Sequence, residues 1–205
     1  SQYEWISKLP PEEFQSRSLN NIATATVMYA VSFPKKQLNE MKFVINMFSD
    51  SMSGWTMQKV RWEECEQCYG INGQVVSTNM KSPPLAIMIG TVGSEALERA
   101  KVDIQNTIND HAGKITQEQL DMAFDRMAGE MTVKGDYTDD IHGFVHADLV
   151  SGNNPSLQIT KPSLKAVNEA SMYLTHMAKI EVVPTVAKHS FYIFNCCLVP
   201  GSKHP

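Results

Sequence analysis

His142 and His146 lie one helical turn apart among Asp136, Asp139, Asp140 and Asp148, a donor set suited to a divalent metal. The zinc-protease pattern places Glu directly after the first His as general base, and Gly143 stands there instead. Asp139 and Asp140 also satisfy the positive end of a helix. A metal-dependent enzyme built on His142, His146, Asp139 and Asp140 is therefore the alternative reading, and no metal is the favoured one.

Cys65-Glu-Gln-Cys68 is a second pair at chelating spacing. Glu63, Glu64 and Glu66 surround it, and nearby carboxylates raise a thiol pKa and disfavour redox work. Zinc would need two further ligands, and Cys196-Cys197 is distant in sequence. Gly90-Thr-Val-Gly93-Ser94 precedes a helical pattern but matches neither the Walker nor the dinucleotide-binding spacing. No nucleophile elbow is present. No cofactor is expected, and the chain reads as non-enzymatic.

Lys35 and Lys36 stand at the start of the strongest helical pattern, where cations are mildly unfavourable. An anionic partner would compensate. Lys42, Lys59, Arg61 and Trp62 extend them into a mixed basic and aromatic surface suited to single-stranded RNA or another polyanion. The termini offer different chemistry: Tyr3, Trp5 and Ile6 at one end, and Phe191, Tyr192 and Phe194 within the apolar run to Val199 at the other, suit contacts between subunits.

Charge supports the same idea. The net value is -4, which argues against binding nucleic acid by bulk basicity. It divides into a neutral stretch over residues 1–81, a charge of -7 over 82–148 and +3 over 149–205, a polarity that favours association of unlike faces. Twelve methionines suit irregular helix packing or an adaptable groove.

These groups need elements to position them. Leu38, Met41, Ile45, Phe48, Met52 and Trp55 recur at spacings of three and four, predicting a helix from Pro34 to Trp55. Leu19 to Val31 is a further helix candidate, as is Trp55 to Tyr69 ending at Gly70. Leu97, Ala100, Ile104, Ile108 and His111 share one face, with Gly113 closing that helix. Thr116 and Gln119 form a capping box ahead of Leu120, Ala123, Phe124, Met127 and Met131. Tyr137 to Val150 and Pro162 to Lys179 complete the helices. Gly73 to Met80 reads as a short strand or loop, Leu85 to Ile89 is unassigned, and Pro83-Pro84 marks a linker at 81–84.

The expected fold is mainly α: a bundle of six or seven helices with a short strand or extended C-terminal segment. It divides into lobes at 1–81 and 85–205 or forms a single domain. With 42% hydrophobic residues the chain can bury a core without disulfides. Four cysteines, no apolar run long enough for a bilayer and no signal pattern after Ser1 place it as soluble and intracellular. The expected function is that of a self-associating structural protein, a homo-oligomer of viral nucleocapsid, coat or matrix character that contacts RNA, carried in a virion if viral. An adaptor that binds a partner helix is a further alternative.

Overall fold

Residues 24–32, Thr-Ala-Thr-Val-Met-Tyr-Ala-Val-Ser, alternate in burial: Ala25, Val27, Tyr29 and Val31 are buried, while Thr24, Thr26 and Met28 are half-buried. That is the period of a strand, and its β-branched and aromatic residues suit a pleated surface. The helix expected over 19–31 is therefore not formed. In the computed structural model, which describes residues 13–50, 52–63, 68–77, 82–134 and 159–185, this strand is the middle of a five-stranded sheet.

The strands are β1 (Phe14–Leu19), β2 (Thr24–Ser32), β3 (Cys68–Val76), β4 (Leu85–Gly93) and β5 (Ala178–Pro184), in the order β1-β5-β2-β4-β3. β1 and β5 run parallel, and the other neighbours are antiparallel. The described helices are α1 (Leu38–Ser49), α2 (Trp55–Met57), α3 (Leu97–His111), α4 (Gln117–Lys134) and α5 (Leu164–Ser171). 3-10 turns at Lys35–Gln37 and Ser94–Ala96 lead into α1 and α3, a π turn at Gln58–Glu63 follows α2, and a further 3-10 turn at Met172–His176 follows α5.

A mixed sheet with helices packed on it replaces the expected helical bundle. The correction has a local cause at each strand. The unassigned run at Leu85 becomes β4, whose Ala86, Met88 and Val92 are buried on the same face as Val27, Tyr29 and Ile71. The helix predicted over 55–69 stops at Glu63, and β3 begins at Cys68. The helix predicted from Pro162 to Lys179 ends at Ser171, and Ala178 opens β5. Residues 82–84 lead into β4, which pairs antiparallel with β3 from Val76 and Leu85 onward.

Where periodicity was long and amphipathic, helices stand as predicted. Leu97, Ala100, Ile104 and Ile108 of α3 are buried, and Gly113 takes a φ of 74° just beyond its end, a left-handed conformation that costs glycine little. The capping box forms: the Gln119 N–H donates to Thr116 Oγ1 at 3.3 Å and the Thr116 N–H to Gln119 Oε1 at 2.9 Å. α1 buries Met41, Phe43, Val44, Ile45, Met47 and Phe48. It ends at Ser49, so Met52, placed inward by the spacing, is instead 71% exposed.

The core joins the sheet face of Val27, Tyr29, Ile71 and Met88 to Phe43 and Phe48 of α1, Ile104 and Ile108 of α3 and Leu120 of α4. Burial of each such side chain stabilises by roughly 1.5–3 kcal/mol. An ion pair ties the outer half of the sheet to the helical layer: Lys101 Nζ of α3 meets Glu181 Oε2 of β5 at 2.8 Å and lies over the Phe14 ring. Burial pulls the Lys101 pKa down, but hydrogen bonds to Glu181 and Glu98 outweigh it and hold the ammonium above its ordinary range. Beside them, burial and then the charge of Glu181 push the Tyr29 hydroxyl well up.

Candidate functional site

A cleft of about 300 Å³ runs between α1 and β3. Its walls are Lys42, Ile45, Asn46, Ser49 and Asp50 on the helix side, and Asn72, Gly73, Gln74 and Val75 on the strand. The two elements approach closely at one point. A Cβ on Gly73 would lie 1.8 Å from Ser49 Oγ and 2.7 Å from Ile45 Cγ2, so only glycine lets β3 sit this near the helix. Ser49 is buried, its hydroxyl donating to the Ile45 carbonyl at 3.0 Å.

β3 is the edge of the sheet among the described residues. Asn72 and Gln74 are exposed and flank Gly73. From Cys68 to Val76 the strand carries neither proline nor lysine, the residues with which edges are commonly guarded.

The floor of the cleft is organised by polar groups at the end of α1. Asp50 Oδ1 accepts from the Met52 N–H at 3.1 Å, from the Ser53 N–H at 2.9 Å and from Ser53 Oγ at 2.8 Å. Partial burial raises its pKa, but these hydrogen bonds and the Arg126 charge more than offset that and hold the carboxyl below its usual range. From α4, Arg126 Nη1 donates to Ser53 Oγ at 2.6 Å and Nη2 to Asn46 Oδ1. Asp50 and Arg126 thus fix the loop between α1 and α2. Nothing in the spacing of residues 46, 50, 53 and 126 revealed this cluster; it exists because α4 crosses α1.

Of the residues singled out from sequence, Lys42 lines the cleft and the other described ones lie outside its lining. Lys35 and Lys36 occupy the 3-10 turn before α1, and Lys42 is exposed on its first turns beside the cleft. Lys59 and Arg61 lie in the turn after α2, and α2 packs at the far end of α1, where Trp55 meets the Phe48 ring edge-on at 4.9 Å. Trp62 belongs to the same turn. Tyr3, Trp5, Ile6, Phe191, Tyr192 and Phe194 lie outside the described residues, as do His142, His146, Asp139, Asp140 and Cys65.

Comparison with solved structures defines the fold. No family model matches the sequence, and no curated protein matches it. The chain is similar to an inactive domain of peptidase M16 from Pseudomonas fluorescens, with a TM-score of 0.67 at 17% identity over 86% of this chain and 45% of that one. A protease from Helicobacter pylori matches with a TM-score of 0.63 and 13% identity, over 83% of this chain and 44% of that one. The inactive peptidase domain of a candidate zinc protease from Bordetella parapertussis gives 0.64 and 15% identity, over 84% of this chain and all of the other. The chain therefore spans about half the length of the first two structures.

The zinc implied by such neighbours does not fit the described residues, among which no group of three or more His, Cys, Asp or Glu side chains could share an ion. His111 packs face-on against Trp55 at 4.2 Å between ring centres, and His176 is exposed. Nor does the sequence contain His-Glu-x-x-His or His-x-x-Glu-His anywhere, the spacings that zinc peptidases use to place two ligands and a general base. The expectation of a viral coat, nucleocapsid or matrix subunit is overturned by the fold. Charge segregation and methionine content, which suggested it, are equally at home here: Met41, Met47, Met57, Met88 and Met177 are buried core residues. In its described residues the chain has the mixed α/β fold of an M16-like peptidase domain.

Proposed function

We propose that this chain is a non-catalytic peptidase-like domain that holds extended polypeptide without cutting it. One observation carries the reading: the peptidase-domain fold occurs in a sequence lacking both zinc-peptidase motifs. Retention of polypeptide binding needs neither zinc nor a general base. An unguarded edge strand supplies a row of backbone donors and acceptors to a passing chain, and neighbouring pockets take alternate side chains. β3, with the α1 cleft beside it, has that form.

Two measurements test this together. With zinc added, the purified chain is expected to release no fragments from unfolded casein above a chelator-treated control; chelator-sensitive turnover would refute the non-catalytic reading. Hydrogen exchange at the amides of residues 70–76 is expected to slow when an extended peptide mixture is added. Unchanged exchange there, with binding seen by calorimetry, would remove β3 from the model.

A further inference from the structure

Arg126 is a partly buried cation with no carboxylate in direct contact, its charge reaching Asp50 only across Ser53. Its guanidinium donates to Ser53 Oγ at 2.6 Å, to the Asn46 carbonyl at 3.4 Å and to Asn46 Oδ1, all neutral acceptors. Its Nε is buried with no hydrogen-bond partner. Among the described residues no carboxylate comes within ion-pair distance of it. Asp50 acts on it only at longer range, one carboxyl oxygen accepting three hydrogen bonds from Met52 and Ser53. A desolvated donor left without an acceptor is destabilising, the more so when charged.

The same side chain lines a separate pocket of about 150 Å³. Asn46 lines the α1–β3 cleft and Arg126 this pocket, so their hydrogen bond belongs to the wall between the two. The rest of the lining is largely apolar, Met47, Trp55, Met122 and Ala123, with the Gln119 amide beside them. Met122 is 58% exposed on the rim, and Met52, next to Ser53 in the loop after α1, is 71% exposed. Exposed methionines make an adaptable apolar surface, and together with a guanidinium they select a ligand that is apolar with one negative charge.

We propose that this pocket binds a peptide segment in which a single carboxylate is flanked by aliphatic side chains, the carboxylate on Arg126 and its aliphatic neighbours against Trp55 and Met122. A planar carboxylate accepts from a guanidinium in a way no neutral amide does. The occupant's charge is fixed by Arg126 and its apolar flanks by the methionine rim. This contact is separate from β3 and does not require the edge strand to bind.

The test uses two blocked peptides, acetyl-Leu-Leu-Glu-Leu-Leu-amide and the same sequence with Gln for Glu, titrated into the full chain. Binding is read by calorimetry and by the ¹H–¹⁵N signal of the Arg126 Nε–H. The Glu peptide is expected to bind at least tenfold more tightly than the Gln peptide, to shift that signal and to weaken as salt rises. Arg126→Gln is expected to abolish the preference. Because Arg126 also anchors Ser53 and Asn46, Met122→Asp serves as a second variant: it lies on the exposed rim and is expected to lower affinity for the Glu peptide at least tenfold while leaving the unfolding midpoint unchanged. Equal affinity for the two peptides, a Glu preference that survives both variants, or no binding at millimolar peptide would each overturn the proposal. Loss of binding in Met122→Asp with exchange at residues 70–76 unaffected would separate this pocket from the β3 reading.

Discussion

Substitution of Gly73 by alanine tests the close approach of α1 and β3. The added methyl would meet Ser49 Oγ at 1.8 Å, Ile45 Cγ2 at 2.7 Å and Ser49 Cβ at 2.9 Å. The hydroxyl can rotate away, giving up its 3.0 Å bond to the Ile45 carbonyl, a loss of about 1 kcal/mol. Ser49 Cβ is fixed to the α1 backbone and can retreat only if helix and strand separate, and such overpacking costs about 1–3 kcal/mol. Alanine also narrows the unfolded ensemble, which returns about 0.4–1 kcal/mol. The net expectation is destabilisation by about 2 kcal/mol, or about 4–8 °C in melting temperature for a chain of this size. Urea unfolding followed by circular dichroism measures it, with the midpoint falling at constant slope. Ser49→Gly removes both Ser49 atoms at a helix-propensity cost of about 1 kcal/mol, so the double variant is expected to recover at least about 1 kcal/mol relative to the sum of the two singles. A Gly73→Ala cost below about 0.5 kcal/mol, or strictly additive variants, would refute the packing described for the α1–β3 cleft.

Three other consequences follow from particular contacts. The Lys101 and Glu181 side chains are only 15% and 13% exposed, so Lys101→Met, which strands the carboxylate, is expected to cost about 3 kcal/mol by chemical denaturation. Adding Glu181→Leu is expected to restore most of it, and a double variant as unstable as the single would contradict this. His111 stacks on Trp55 at 4.2 Å, and its pKa is lowered, first by burial and then by Lys114 against the opposing pull of Asp110. The unfolded chain therefore takes up a proton at higher pH than the native one, and stability is expected to be full above pH ~6.5 and to fall on acidification below it. His111→Phe should flatten that part of the stability–pH curve, and a slope unchanged from the parent would assign it to other groups. Finally, Thr116→Ala removes one arm of the capping box and is expected to cost about 1 kcal/mol of stability in urea unfolding; no change would show that the box contributes nothing in this context.

The sequence by itself determined the helices whose apolar stripe repeats over three or more turns: α1, α3 with Gly113 at its end, and α4 with its Thr116–Gln119 box. There the information is local, because neighbours three and four residues apart share a face and the caps lie within one turn. The sheet was decided by tertiary structure. Leu85 to Ile89 is a short apolar run that either helix or strand can use, and it becomes β4 because β2 and β3 pair on its two sides. The alanine and threonine of residues 19–31 admitted a helix until pairing with β4 and β5 buried alternate side chains of β2.

The same division holds for the site. Lys35, Lys36, Lys59 and Arg61 were conspicuous as charges in sequence, and they lie in the turns before α1 and after α2. Asn46, Asp50, Ser53 and Arg126 were inconspicuous, and they form a hydrogen-bonded cluster because α4 brings residue 126 against the end of α1. Amphipathic period is written in adjacent residues, whereas strand pairing joins Phe14 to Lys179, 165 positions on, and side-chain convergence joins Asn46 to Arg126, 80 positions on, and only the folded chain brings them into contact.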